Sequence, residues 1–251
     1  NNSQVYEFGG TRELPYHPTM VGAPALWEDG IWGQGVVVAV LDTGVNYNHT
    51  DLQGNLWIAD GYPNYGWNFV NNSNDPKDKH GHGSHCAGIV AGNGASGVQS
   101  GIAPKAKIMC LNVIGDNSTQ QSKVWESIEF AVEKGAHVLS MSFGWRKNDN
   151  PDRPSWRRTL ENTLSAGVIA SVGAGNEGLY IGDNPIPRNV RTPGDCPPPW
   201  LNPEMPQKGG LSAVITSGAS DSADTLANFS SRGPSVWDYS DSYNDYPYTP
   251  E

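Results

Sequence analysis

The 251-residue sequence has no run of eighteen or more apolar residues, and its mean hydropathy is −0.51. A membrane-spanning helix needs about twenty such residues, so no membrane partner is expected. Positive charge is also scarce: 16 Lys and Arg stand against 26 Asp and Glu, for a formal charge of −10. Such a field repels polyanions, and no nucleic-acid partner is expected. There are only three cysteines, an odd number, with no C-x-x-C spacing to suggest zinc or redox chemistry. Cys86 and Cys110 lie in apolar contexts and read as small buried hydrophobes, Cys196 lies in a proline-rich stretch, and no bridge is expected. The start lacks both Met and a charged-then-apolar leader, so Asn1 reads as a processed or trimmed terminus.

What remains is rich in loop formers, with 30 Gly and 19 Pro, and charged residues reach only 17 %. That composition suits a secreted protein. Short β-branched and apolar runs at 36–41, 107–113, 137–142, 167–173 and 212–216 are bounded by glycine or polar residues and read as strands buried on both faces. Amphipathic stretches lie between them. Residues 122–134 place Val124, Ile128, Ala131 and Val132 on one face, and 157–166 do the same with Leu160 and Leu164. The alternation predicts an α/β fold, a doubly wound and mainly parallel central sheet with helices on both faces, and functional residues at the carboxyl ends of strands. No repeat or linker divides the chain, so residues 1–251 are expected to form a single domain. Residues 182–210, rich in Pro, Gly and Asn, read as a long surface loop, and 235–251 as an exposed tail or loop.

Three segments carry chemistry. Residues 38–45 deliver Asp42 at the end of a buried strand, followed by Thr43 and Gly44. Alone, this is equally a turn or helix-capping aspartate. Residues 78–92 contain His80, His82 and His85 among Gly83, Ala87, Gly88, Ala91 and Gly92. The small residues let a helix starting near His82 pack closely, and histidine suits a general base because it titrates near neutrality. Three histidines also suggest a metal, but their spacing matches no zinc pattern. His80 is expected in an exposed loop, and His85 as a hydrogen-bonded packing residue. In the third segment, a strand over 168–173 runs into Ala174, Gly175 and Asn176, where an amide donor could meet a developing oxyanion.

These three segments, in this order, resemble the Asp, His and oxyanion-Asn blocks of the subtilisin-like serine protease (subtilase) family. The likeness runs from about Trp27 to Pro234 and takes in the 101–107, 140–144 and 229–234 stretches. It implies that Asp42 orients the imidazole, His82 acts as general base and acid, and Asn176 donates to the oxyanion. It further implies that Ser142, Phe143 and Gly144 pair with an extended substrate and that Gly173, Ala174 and Gly175 line the pocket beside the scissile bond. Protein or peptide substrates, a secreted and processed enzyme, and no cofactor for the chemistry follow. Two departures are visible: Ser84 stands where Thr is usual, and Cys86 where many members carry Val. A structural calcium ion is not supported at the family's usual loop, here 93–98, which has no carboxylate, whereas the oxygen-rich loop 71–78 could hold one.

The family's Gly-Thr-Ser-x-Ala-x-Pro segment, which carries the nucleophile, does not occur in the sequence. Ser217, Ser230 and Ser231 read as structural. The expectation is a serine endopeptidase whose nucleophile comes from beyond Glu251 or from a companion chain, leaving this chain inactive alone and with an uncovered apolar face. A catalytically inactive peptide-binding module is the alternative, and a hydrolase using a metal on His80, His82 and His85 is a third reading.

Overall fold

In the computed structural model, residues 15–116, 118–179, 182–196 and 213–235 are described. The chain divides into two compact units, residues 1–137 and 138–251.

In the first unit, two short helices, α1 (Tyr16–Met20) and α2 (Ala23–Glu28), precede strand β1 (Val37–Asp42). Strand β2 (Gly66–Asn68), helix α3 (His82–Ala91), strand β3 (Lys107–Asn112) and helix α4 (Gln121–Glu133) follow. The strands run parallel in the order β2-β3-β1, with Asp42 in register with Asn112 and Asn112 with Asn68. One row at the carboxyl ends therefore presents three polar side chains. Val38 through Asp42 are buried without alternation, so both faces of β1 are covered. Both α3 and α4 pack on it. Strand β2 was not foreseen, because three residues carry no periodicity. It needs Gly66: a Cβ there would lie 1.8 Å from the Cys110 carbonyl oxygen.

In the second unit, strand β4 (Val138–Met141), helix α5 (Arg153–Ser165), strand β5 (Ile169–Gly173) and strand β6 (Val214–Ser217) form a parallel set in the order β4-β5-β6. Helix α5 starts four residues before the amphipathic pattern, because Asp152 accepts from Ser155 N at 3.1 Å and Pro154 fits the first turn. It packs on β5 and buries Trp156, Leu160 and Thr163. Ala170, Val172 and Val214 are buried on one face of β5 and β6. On the opposite face Ile169 is 44 % and Ile215 55 % exposed, with Ile215 beside Ser171 in the register.

The 182–196 segment corrects the surface-loop expectation. Asn184, Asn189, Thr192, Asp195 and Cys196 are all buried there. The Asn189 side chain takes over backbone pairing that a strand or helix would supply: its Nδ2 donates to the carbonyls of Glu177 (3.0 Å) and Asn184 (2.7 Å), and its Oδ1 accepts from Arg232 N (2.7 Å). The rest of that loop, 197–210, and the tail from 236 to 251 lie outside the described residues, as does Ser212 at the expected start of β6. Cys86, Cys110 and Cys196 form no disulfide. Cys110 and Cys196 are buried, but Cys86 is half-exposed rather than buried, since α3 buries Gly83, Ala87 and Ala91 instead. Among the described residues, no helix is long and apolar enough to cross a membrane.

Trp156 is fully buried, with its ring 5.3 Å from that of Trp145. Trp156→Ala is expected to lower unfolding free energy by about 3–5 kcal/mol. Denaturant titration checks this, and a loss below about 1 kcal/mol would contradict the packing described.

Candidate active site

Asp42 ends β1 at 1 % exposure, and a carboxylate so buried must be hydrogen-bonded. Its Oδ1 accepts from Thr43 N at 2.7 Å, and His82 Nδ1 lies 2.7 Å from Oδ1 and 2.9 Å from Oδ2. The Asp42 carbonyl accepts from Val113 N (2.8 Å) and Ile114 N (3.2 Å), which fixes the end of the strand. An ionised carboxylate can only accept, so Nδ1 carries the imidazole proton and Nε2 is left as the basic nitrogen. The His82 side chain is 41 % exposed.

His82 opens α3, and the approach of that helix depends on Gly83. A Cβ there would stand 2.1 Å from the Gly44 carbonyl oxygen and 2.9 Å from Asp42 Cβ. Gly44 has φ of +99°, and a Cβ on it would stand 2.3 Å from the Pro76 carbonyl oxygen, so no side chain fits there either. Ala87 and Ala91 continue the buried row. Gly88 has open space around it and is not needed for packing among the described residues.

A second carboxylate, Asp78, joins β1 to α3, and sequence reasoning gave it no role beyond membership of the oxygen-rich 71–78 loop. It accepts from Thr43 Oγ1 (3.0 Å), His80 N (2.8 Å), Gly81 N (2.9 Å), Ser84 N (2.9 Å) and Ser84 Oγ (2.6 Å). Thr43 Oγ1 in turn accepts from Gly83 N at 3.0 Å. The signal was an aspartate just before a glycine-flanked helix start. Burial pushes the Asp78 carboxyl up, but the donors from Ser84, Gly81 and His80 outweigh it and hold it below the ordinary value. Ser84, which stands where Thr is usual, donates its hydroxyl to Asp78 and accepts from Asn46 N at 2.8 Å.

His80 is exposed, its ring 6.4 Å from that of His82. His85 is exposed too, which corrects its assignment as a packing residue; two positions along a helix from Gly83 turns the side chain about 200° away from the buried row. Among the described residues, the one group with metal-ligand spacing is Asp42, His82 and Cys86, not the three histidines. Cys86 Sγ lies 3.9 Å from His82 Nδ1. Beside the 93–98 loop, Asp51 accepts from Ser96 N on Oδ1 (2.6 Å) and from Ser96 Oγ on Oδ2 (2.5 Å).

In the second unit, Ser142, Phe143 and Gly144 continue β4 beyond its last paired residue, Met141, with Ser142 exposed and the other two half-buried. Gly173 ends β5, Ala174 is buried, and Gly175 turns the chain with φ of +115°. Asn176 is exposed at the tip, above the buried Glu177, whose Oε2 accepts from Asn176 N at 2.9 Å. Ser217 ends β6, and no helix follows it among the described residues to 235. Ser230 and Ser231 are buried and hydrogen-bonded, Ser230 Oγ accepting from Ala219 N at 3.0 Å. Asp42 and His82 are thus brought together in the first unit, and the Ser142–Gly144 and Gly173–Asn176 segments are arranged within the second.

Residues 33–243 match the model of the Subtilase family. The chain is 33 % identical over 183 residues to the major intracellular serine protease of Bacillus subtilis (strain 168), covering 70 % of this chain and 53 % of that protein. It is 38 % identical over 170 residues to the minor extracellular protease Vpr of the same organism, covering 63 % of this chain and 20 % of that one. A solved lanthipeptide protease superposes with a TM-score of 0.62 at 18 % identity, over 82 % of this chain and 55 % of that one, a likeness of fold. The chain spans about half the length of the first of these relatives and less of the second.

A depressed carboxyl stabilises the fold above the ordinary carboxylate range, and that stability is lost as pH falls through its lowered folded value. Asp78→Asn should therefore flatten the acid limb of a stability-versus-pH curve and cost about 1–3 kcal/mol at neutral pH. Chemical denaturation across pH checks it; an unchanged acid limb would contradict the role given to Asp78.

Proposed function

The chain belongs to the subtilase family, and from that premise we propose that it is the part of a serine endopeptidase that supplies the acid and base of the catalytic triad. The supporting observation is the fully buried Asp42 carboxylate held against Nδ1 of a half-exposed His82. Such a pair fixes the tautomer a general base needs and stabilises the imidazolium that forms when it takes a proton.

In this reading, Nε2 of His82 accepts the proton of a serine hydroxyl as the serine oxygen attacks the peptide carbonyl. The side-chain amide of Asn176 donates to the oxygen that becomes negative. His82 then gives the proton to the departing amine, leaving an acyl-enzyme that water hydrolyses by the reverse proton path. The substrate backbone lies along Ser142, Phe143 and Gly144 as an added strand, and the side chain before the cut sits beside Gly173, Ala174 and Gly175. Their small size and the unpaired continuation of β4 support that placement.

The nucleophile is carried by a segment outside these 251 residues, beyond Glu251 or on a companion chain. Two observations support this: the Gly-Thr-Ser motif is absent, and among the described residues Ile169 and Ile215 are left exposed on one face of β5 and β6. A helix carrying the serine would cover such a face at about 25 cal/mol for each Å² of apolar surface removed from water. The chemistry requires no cofactor. In the 71–78 loop, Asn74 Oδ1, buried without a donor, is the oxygen that a structural calcium ion would use, since the Asp78 carboxylate is taken up by its own donors. Composition favours a secreted setting, while the relatives include one named intracellular and one named extracellular.

In the full-length protein, His82→Ala and Asp42→Asn should each lower kcat by about a thousandfold or more with the melting temperature unchanged, whereas His85→Ala should stay within about twofold. Peptide hydrolysis kinetics check this, and an equal loss in His85→Ala would overturn the base assignment. Asn176→Ala should lower kcat by about a hundredfold with little change in KM. A fluorophosphonate probe should label a serine outside residues 1–251; label on Ser217, Ser230 or Ser231 would contradict the proposal.

A further inference from the structure

The turn that presents Asn176 is held from below by a set of contacts converging on one side chain. Arg191 Nε lies 3.0 Å from Glu177 Oε1 and 2.9 Å from Oε2, and its Nη2 also donates to Oε1. Its Nη1 donates to the Gly144 carbonyl at 3.4 Å. The Arg191 backbone N–H donates to the Ala174 carbonyl at 2.9 Å, and Thr192 exchanges both backbone hydrogen bonds with Trp145 at 2.8 and 2.9 Å. One residue thus touches the end of the Ser142, Phe143, Gly144 segment with one edge and the Ala174–Glu177 turn with the other.

The fit leaves no slack. A Cβ on Gly175 would lie 2.9 Å from Arg191 Cγ and 2.6 Å from Glu177 Oε2, and one on Gly144 would lie 2.9 Å from Arg191 Cβ. The Glu177 carboxylate is 5 % exposed and, besides Arg191, takes donors from Asn176 N and from Ser231 Oγ at 3.2 Å. A buried carboxylate without a cation would be costly, whereas the bidentate guanidinium gives it both charge and a fixed direction. Burial alone pushes the Glu177 carboxyl up, and the Arg191 hydrogen bonds and charge bring it below the ordinary value.

We propose that Arg191 is the positioning residue that locks the Asn176 turn to the Ser142, Phe143, Gly144 segment, acting through the buried carboxylate of Glu177. The inference rests on the peptidase reading, in which Asn176 meets the oxyanion and Ser142, Phe143 and Gly144 meet the substrate. Arg191 touches neither substrate nor reacting atoms. It sets the distance between the amide that stabilises the transition state and the strand that fixes the scissile bond, a relation in which an error of about 1 Å can cost a hundredfold in rate.

The test is a double-mutant cycle in the full-length protein, with hydrogen exchange as a readout that does not need turnover. Arg191→Gln should lower kcat by about ten- to a hundredfold in the wild-type background but by less than about twofold once Asn176→Ala is present. Arg191→Lys should recover only part of the loss, because an ammonium cannot span both carboxylate oxygens and the Gly144 carbonyl. Glu177→Gln, nearly isosteric and without charge, should reproduce the kcat loss, and it carries the test should Arg191→Gln fail to fold. Amide exchange should quicken at Asn176 and Trp145 together in either variant, with the amides of β5 unchanged. Losses that multiply across the cycle, or exchange that rises evenly over the unit, would overturn the proposal and leave Arg191 a general stabiliser. An inactive wild type would remove the peptidase reading, while the exchange result would still decide whether Arg191 couples the two segments.

Discussion

A carboxylate removed from water must be met by donors, and Asp42 at the end of β1 has two protein partners that can do so: the Thr43 amide and Nδ1 of His82. Much of the first unit serves that contact. Gly44 and Gly83 are bare so that the turn after β1 and the first turn of α3 can approach within backbone contact. Asp78 ties the hydroxyl of Thr43 and the hydroxyl and amide of Ser84 to one anchor on either side of the pair. The orientation of the imidazole is thereby set by the Asp42 carboxylate and the elements that hold it in place.

The second unit repeats the strategy with different residues. A buried carboxylate, Glu177, sits beneath an exposed polar side chain, Asn176, and the charge is met by a residue from the 182–196 segment. In both units the exposed group that would do chemistry is held by a buried anion that would not. Such arrangements place rigidity beneath the reacting groups and leave their outer faces free, as preorganised electrostatic catalysis requires.

The legible part of the sequence was the part governed by repetition and local chemistry. Continuous apolar runs announced β1, β3, β4 and β5 to within two residues, and the small residues of the 82–92 stretch announced a closely packed helix beginning at His82. Asp42 and His82 could be paired only through the resemblance of their two segments to the subtilase Asp and His blocks, since each segment alone has an ordinary structural reading. Less visible was whatever depends on distant partners. Nothing local distinguishes Arg191 from a loop arginine, since its carboxylate lies fourteen residues away and its carbonyl partner forty-seven. The 182–196 segment looked like a surface loop because its composition is polar, yet Asn184 and Asn189 are buried and Asn189 gives its amide to two backbone carbonyls. His85 was misjudged because a histidine in a helix of small residues suggests packing, whereas the helical repeat sends it outward.

The account stands or falls on the protonation of one imidazole. Nitrogen-15 NMR of the histidine-labelled protein, at a pH where His82 is neutral, reads its tautomer directly. The geometry predicts a proton on Nδ1, shifted far downfield and slow to exchange because Asp42 accepts it in a buried site, with Nε2 unprotonated. A proton found on Nε2, or an Nδ1 proton exchanging as in free imidazole, would contradict the pairing of Asp42 with His82 and with it the role of this chain as the source of a general base.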